Sequence, residues 1–101
     1  MRYLGTLRGA GRLTCGGEAM GRVDYEFDGF VRPAGEIDGS GEIRMPSGTL
    51  KEVFGRKDVQ LQTDGGRVFI LRFSHKKLPP ASTAAHVDLM GDLLTISDWH
   101  N

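Results

Sequence analysis

Three times along this chain, two strand-like runs flank a three-residue connection that ends in glycine. The connections are Gly9-Ala10-Gly11, Pro33-Ala34-Gly35 and Asp64-Gly65-Gly66. A three-residue hairpin loop is a type I turn followed by a residue with positive φ, a conformation that glycine adopts at almost no steric cost. The repetition predicts three β-hairpins in an antiparallel meander.

The central connection predicts a hairpin over residues 21–46. Folding the chain about Ala34 opposes only apolar residues or glycines on one face: Val31 with Ile37, Gly29 with Gly39, Phe27 with Gly41, Tyr25 with Ile43, and Val23 with Met45. A slip of one residue would turn this whole set to solvent. The odd-numbered side chains of this hairpin should therefore face the core.

The other two connections pass the same test over shorter stretches. The expected pairs are Leu7 with Leu13 and Arg8 with Arg12 about the first turn, and Leu61 with Phe69 and Val59 with Leu71 about the third. A two-residue Asp64-Gly65 or Gly65-Gly66 loop is also good turn chemistry, so the third register stays open. A further alternating run predicts the last main strand: Ala85, Val87 and Leu89.

One stretch departs from the strand period and predicts a short helix near residues 49–55. Its apolar residues follow a helical spacing: Leu50, Val53 and Phe54. Thr49 and Glu52 have the spacing of a capping box, and Gly55 is a stop signal. So short a helix needs tertiary packing, so it should lie across an open end or edge of the sheet.

The length of 101 residues predicts a single domain over residues 1–101. Several glycines fall at strand positions on the apolar face: Gly5, Gly17, Gly29, Gly39 and Gly41. Such glycines accompany sharp coiling of a sheet or close approach of another group. The fold class is therefore predicted as all-β, an antiparallel barrel of about seven strands, with a curled two-sheet sandwich as the alternative.

Composition favours a cytoplasmic protein outside the membrane. The start lacks the apolar run of a secretory signal, and no apolar stretch reaches the ~18 residues of a membrane span. One cysteine excludes an intramolecular disulfide, and Cys15 is expected to act as a small core hydrophobe. Thirteen basic and thirteen acidic residues balance, which does not favour nucleic acid as a partner.

Two groups of residues raise the question of catalysis or metal binding. Six carboxylates share the polar face of the central hairpin: Asp24, Glu26, Asp28, Glu36, Asp38 and Glu42. Three arginines lie among them, which is typical of a solvated charged face. His86 and Asp88 project from one face of the last strand, but their spacing suits no zinc-ligand pair and no nucleophile motif accompanies them. We therefore expect no metal, no cofactor and no catalytic residue.

Two clusters of cations are candidate anion contacts. One is Arg8 opposite Arg12 at the first turn, where facing like charges would be relieved by an anionic partner. The other is the loop that contains His75, Lys76 and Lys77. No aromatic residues interleave these cations to stack bases, so they predict at most weak nucleic-acid or anion binding.

Apolar residues out of phase with their strands predict an interface. These residues are Phe30, Val68, Ile70, Met90 and Trp99. Either the C-terminal segment, with Leu93, Leu94 and Ile96, folds over this face, or the face contacts a protein partner such as a second copy of the chain.

The leading functional hypothesis is a non-enzymatic binding or interaction module for a protein partner or small ligand, with an apolar face that would permit a homodimer. The runs Gly29–Pro33 and Val53–Arg56 are similar to those of small bacterial proteins without assigned function, and they identify no family. The alternative is a small enzyme that uses His86, Asp88 and the nearby carboxylates at a barrel mouth. An apolar interior cavity closed by the helix would favour binding, whereas His86 hydrogen-bonded to a carboxylate would favour catalysis.

Overall fold

The computed structural model describes residues 1–90 and Trp99. Within this part of the chain, six antiparallel strands close into a barrel, with one short helix between the third and fourth strands. The elements are β1 (Arg2–Cys15), β2 (Glu18–Val31), β3 (Ile37–Arg44), α1 (Ser47–Val53), β4 (Val59–Thr63), β5 (Val68–Phe73) and β6 (Ala84–Met90). The predicted all-β barrel is confirmed, and the closed sheet excludes the sandwich alternative.

Closure depends on a pairing between strands that are distant in the chain. The order around the barrel is β1-β2-β3-β6-β5-β4, and β4 returns to pair with the second half of β1. That contact joins Gly11–Cys15 to Val59–Thr63. Every strand of the ring has two neighbours, and among the described residues the first half of β1, up to Ala10, pairs with β2 alone.

The central hairpin has the predicted register. Val31 opposes Ile37, and the ladder continues through Phe27 with Gly41 to Asp24 with Arg44. Phe27 and Ile43 are fully buried in the core, as the odd-numbered pattern predicts.

The turns of the β2–β3 and β4–β5 hairpins have the same hydrogen-bond pattern. In the first, the Arg32 N–H donates to the Glu36 carbonyl and the Gly35 N–H donates to the Arg32 carbonyl, both at 2.8 Å. In the second, the Thr63 N–H donates to the Arg67 carbonyl at 2.8 Å, and the Gly66 N–H donates to the Thr63 carbonyl at 2.9 Å. Both glycines have φ of +94°. The third predicted turn is thus a three-residue loop, and Leu61 opposes Phe69 as expected.

The first predicted turn is wrong. Residues 9–11 lie inside β1, and the chain reverses instead at Gly16 and Gly17, whose φ angles are +59° and +87°. Gly9 and Gly11 serve close packing: the Tyr25 ring lies against Gly9, and the β4 backbone lies against Gly11. Glycine allows both a tight turn and a close approach, and the sequence pattern does not separate the two.

The helix covers one end of the barrel. Leu50 and Val53 of α1 are fully buried in the core. The helix begins after Pro46, two residues earlier than predicted, and no side-chain hydrogen bond caps it, so the predicted capping box is absent. It ends before Gly55, whose φ is +83°. The predicted helix and its packing on the core are confirmed.

Trp99 packs against the apolar face of the β2–β3 hairpin near its turn. Its side chain is only 4% exposed and belongs to the core, so its prediction as an interface residue is wrong. The indole lies over Gly29 and Gly39, where an added Cβ would come within 2.5 Å and 3.2 Å of indole carbons. The predicted close approach at strand glycines is therefore found at this pair. Leu93, Leu94 and Ile96 lie outside the described residues.

No helix in residues 1–90 has the length and apolar character needed to cross a membrane.

Candidate binding site

Four of the six carboxylates of the central hairpin lie near arginines, and Asp28 accepts a hydrogen bond from the Thr6 hydroxyl. Glu26 lies 3.3 Å from Arg8, and Asp38 lies 2.6 Å from Arg32. Glu42 lies 2.7 Å from Arg44. Within the described part of the chain, no three His, Cys, Asp or Glu side chains are placed to hold a metal ion. This face is a charge-paired, solvated surface.

The predicted Arg8–Arg12 anion site does not form. Both arginines lie on the outer face of one continuous strand, four residues apart, where the strand rise separates their Cα atoms by about 13 Å. Arg8 instead opposes Glu26, and Arg12 opposes Arg22. Arg22 donates two hydrogen bonds of 2.7 Å to the Asp64 carboxylate. This hydrogen-bonded pair lowers the pKa of Asp64 and raises the pKa of Arg22.

His86 and Asp88 share the outer face of β6, as predicted, but they have different partners. The His86 Nδ1 atom lies 2.8 Å from the Ser74 hydroxyl, and its ring contacts His75 at 5.7 Å between centroids. Asp88 lies 3.9 Å from the Arg72 guanidinium. Sequence reasoning missed Ser74, which is placed by a backbone hydrogen bond from its N–H to the His86 carbonyl at 3.0 Å.

The single cysteine is in the core rather than at a reactive site. Cys15 is fully buried within the described fold, opposite Val59 of β4. Burial raises the pKa of its thiol, which keeps the sulfur protonated at neutral pH. The predicted role of Cys15 as a small core hydrophobe is confirmed.

Three of the predicted interface residues are exposed on adjoining strands. Val68, Ile70 and Met90 are 57%, 45% and 37% exposed, and Ile70 opposes Met90 in the β5–β6 ladder. We call these three residues the outer patch. Phe30 differs from the prediction because it is half-buried, with its ring 5.4 Å from that of Tyr3.

A groove of about 550 Å³ adjoins the outer patch and runs between β5, the chain after α1 and the loop after β5. Its floor is apolar. The Phe54 and Phe73 rings are 5.0 Å apart and tilted by 54°, and Ile70 and Met90 continue the same surface. We call this concavity the basic groove because of the residues that surround it.

The rim of the basic groove is cationic. Five of its lining residues carry or can carry a positive charge, and none of those described is acidic: Arg56, Lys57, Arg72, His75 and Lys76. Arg56 is 3.5 Å from Asp58, and Arg72 is 3.9 Å from Asp88. Within residues 1–90, Lys57 and Lys76 have no acidic partner. The described lining of the groove therefore has a net positive charge.

Two loops bring these cations together. Gly55 reverses the chain after α1, and the Arg56 N–H donates to the Val53 carbonyl at 3.1 Å, which directs the following residues along β5. The Ser74–His86 backbone bond fixes the start of the second loop. Of the predicted anion contacts, His75 and Lys76 line the groove and Lys77 does not.

A second groove, of about 640 Å³, lies on the other side of Arg72 and Met90 and borders β3 and β6. Its charges are mixed, because Arg32 lies 2.6 Å from Asp38 and Asp88 faces it as well. The two grooves share Arg72 and Met90. Of these two grooves, the basic groove is the one that combines apolar lining residues with lysines lacking an acidic partner among the described residues.

Fold and site together define a small, closed antiparallel β-barrel with an external groove. Comparison of the chain with protein-family models, curated proteins and solved structures found no match.

Proposed function

We propose that this protein is a non-enzymatic binding module whose ligand occupies the basic groove. The observation that carries the proposal is the meeting of exposed apolar side chains and unpaired lysines in one concavity. A volume of about 550 Å³ lies within the roughly 300–1,000 Å³ of small-molecule sites. A binding function requires that the ligand match the size, apolar surface and charge of this concavity, and it requires no catalytic residues.

The barrel interior favours an external site. Phe27 and Ile43 of the sheet and Leu50 and Val53 of α1 are fully buried in one core cluster. An interior ligand would have to displace close-packed side chains, which is costly in a core of native density. A groove on the outside of the sheet needs no such rearrangement.

The surroundings of His86 favour binding over catalysis. Its ring nitrogen faces a serine hydroxyl, and the carboxylate of Asp88 faces Arg72. A histidine general base is usually oriented by a carboxylate or carbonyl on its second nitrogen. A small enzyme that uses His86 and Asp88 thus has less support than a binding module.

Native mass spectrometry of protein purified from its own host tests the proposal. We expect a bound small molecule on the wild type, and its loss in Ile70→Glu, which places a carboxylate in the groove floor. Val68→Glu is the matched control, since it changes an exposed residue of the same strand and face outside the groove lining. A wild-type mass equal to that of the bare chain, or a ligand retained by Ile70→Glu, would contradict the proposal.

Self-association through the outer patch is a second candidate. Three adjacent apolar side chains, each more than a third exposed, are typical of an interface, and closed homodimers are the commonest oligomers. Ile70 and Met90 belong to both the patch and the groove, so a dimer and a ligand would compete. Sedimentation of wild type and Val68→Glu separates the candidates, because only a dimer should weaken in Val68→Glu.

A further inference from the structure

We infer that the ligand of the basic groove is a single-chain amphiphile with an anionic head group, such as a fatty-acid-like carboxylate. The inference rests on the proposed function and adds the chemical class of the ligand. It comes from three properties of the groove: its charge, the shape of its apolar floor and the pairing of the strands beside it.

The charge of the groove requires an anion of low valence. Lys57 and Lys76 lack an acidic partner in the described chain, whereas Arg56 and Arg72 each lie near an aspartate. A carboxylate or phosphate could take charge-assisted hydrogen bonds from the two lysines. A polyanion such as nucleic acid would need a longer row of free cations than the two lysines that the described lining supplies.

The floor suits a flexible alkyl chain better than a flat ring. The Phe54 and Phe73 rings are tilted by 54° to each other, so they do not form a parallel-sided slot for a stacked aromatic ligand. Ile70 and Met90 continue the surface, and methionine adapts its shape to irregular apolar partners. An acyl chain can follow such a surface by rotation about its single bonds.

The backbone beside the groove argues against an extended peptide. β5 pairs with β4 on one side and with β6 on the other. Peptides that bind to sheets add a strand to an open edge, and beside the groove the β5 residues without a β4 partner are Arg72 and Phe73 alone, a stretch shorter than an ordinary strand. An amphiphile needs no backbone hydrogen bonds to bind here. Its alkyl chain would contact the apolar floor, and its head group would contact the lysines.

Isothermal titration with a matched set of ten-carbon amphiphiles tests the inference. We expect the full-length protein to bind decanoate below its micellar concentration at low salt, and decyl maltoside and decyltrimethylammonium much more weakly. Lys57→Gln with Lys76→Gln should weaken decanoate binding by about tenfold or more, since two charge-assisted contacts are lost. Lys51→Gln with Lys77→Gln is the control with the same change in net charge outside the groove, and its affinity should match the wild type.

The alternative results have separate meanings. Equal binding of decanoate and decyl maltoside, or no effect of Lys57→Gln with Lys76→Gln, would overturn the anionic head group. No binding of any amphiphile, or binding only of a short peptide of alternating Glu and Leu, would overturn the inference as a whole. The proposed function is judged separately, by whether Ile70→Glu loses a molecule that the wild type carries from its host.

Discussion

At the scale of single residues, glycine has two physical roles in this chain, and local sequence does not distinguish them. Gly35 and Gly66 supply positive φ at turns, whereas Gly29 and Gly39 leave room for the indole of Trp99. The Gly9-Ala10-Gly11 run has the same spacing as a true turn, yet its glycines serve the packing of Tyr25 and β4. Only the non-local neighbour decides the role.

Gly29→Ala should destabilise the barrel by about 1–3 kcal/mol, because the new methyl group would overlap the Trp99 indole. The free energy of unfolding from urea titration measures the effect. Gly48→Ala is the control: the Cβ position has open space outside its own helix, and alanine has the higher helix propensity, so stability should stay equal or rise by up to about 1 kcal/mol. Equal stability of the two variants would mean that Trp99 does not pack on Gly29.

We predict that ionisation of the Tyr25 phenol lowers the free energy of unfolding in alkali. Burial raises the pKa of its phenol above the ordinary value of 10.0. The unfolded chain therefore releases this proton at a lower pH than the folded chain, so the free energy of unfolding should fall as pH rises above 10.0. Tyr25→Phe should show a smaller fall between pH 9 and 11 in urea titrations. Parallel pH profiles for the two proteins would contradict this expectation.

At the scale of secondary-structure elements, most of the fold was predictable where the pattern was local. The β2–β3 and β4–β5 hairpins join adjacent segments, so turn chemistry and alternation specify their register. The helix was predicted from its apolar spacing, but its start was not, because Pro46 and not the Thr49–Glu52 pair marks it. The length of β1 was missed because one half pairs with β2 alone and the other half also pairs with β4.

Gly35→Val should destabilise the protein by more than about 1 kcal/mol, since a β-branched residue does not readily adopt φ of +94°. The space around Gly35 is open, so the effect should come from the backbone alone. Ala34→Val, one residue earlier in the same turn at negative φ, should change stability by less than about 0.5 kcal/mol. Thermal or urea unfolding that ranks the two variants equally would refute the assignment of this turn.

At the scale of the whole molecule, the candidate site forms where the β4–β5 hairpin meets β6 and the chain after α1. The sequence indicated His75, Lys76, Ile70 and Met90 as separate candidates for anion contact and interface. It did not connect them with Arg56 and Lys57, although the predicted pairing of Val59 with Leu71 already brings the residues before β4 close to the end of β5. The local pattern does not encode the pairing of β5 with β6 or the packing of Phe54 on Phe73, which complete the groove.

The charges are arranged unevenly around a chain whose formal net charge is zero. On the β2–β3 face, most of the carboxylates have arginine partners, whereas the basic groove retains two lysines without one in residues 1–90. A chain with equal numbers of acidic and basic residues can therefore still have a local site of positive charge. Such a site attracts anions at short range even though the whole molecule has no net field to steer them.

The central claim is that the basic groove beside β5 binds an anionic amphiphile, and an amide ¹H–¹⁵N NMR titration of the full chain with decanoate tests it most directly. We predict that the shifted resonances belong to residues 54–57, 70–73 and 75–76 and to Met90, while those of Arg8, Arg12 and the buried central hairpin stay in place. Shifts confined to the hairpin core or to the Arg8–Arg12 face, or a spectrum unchanged by decanoate, would contradict the account.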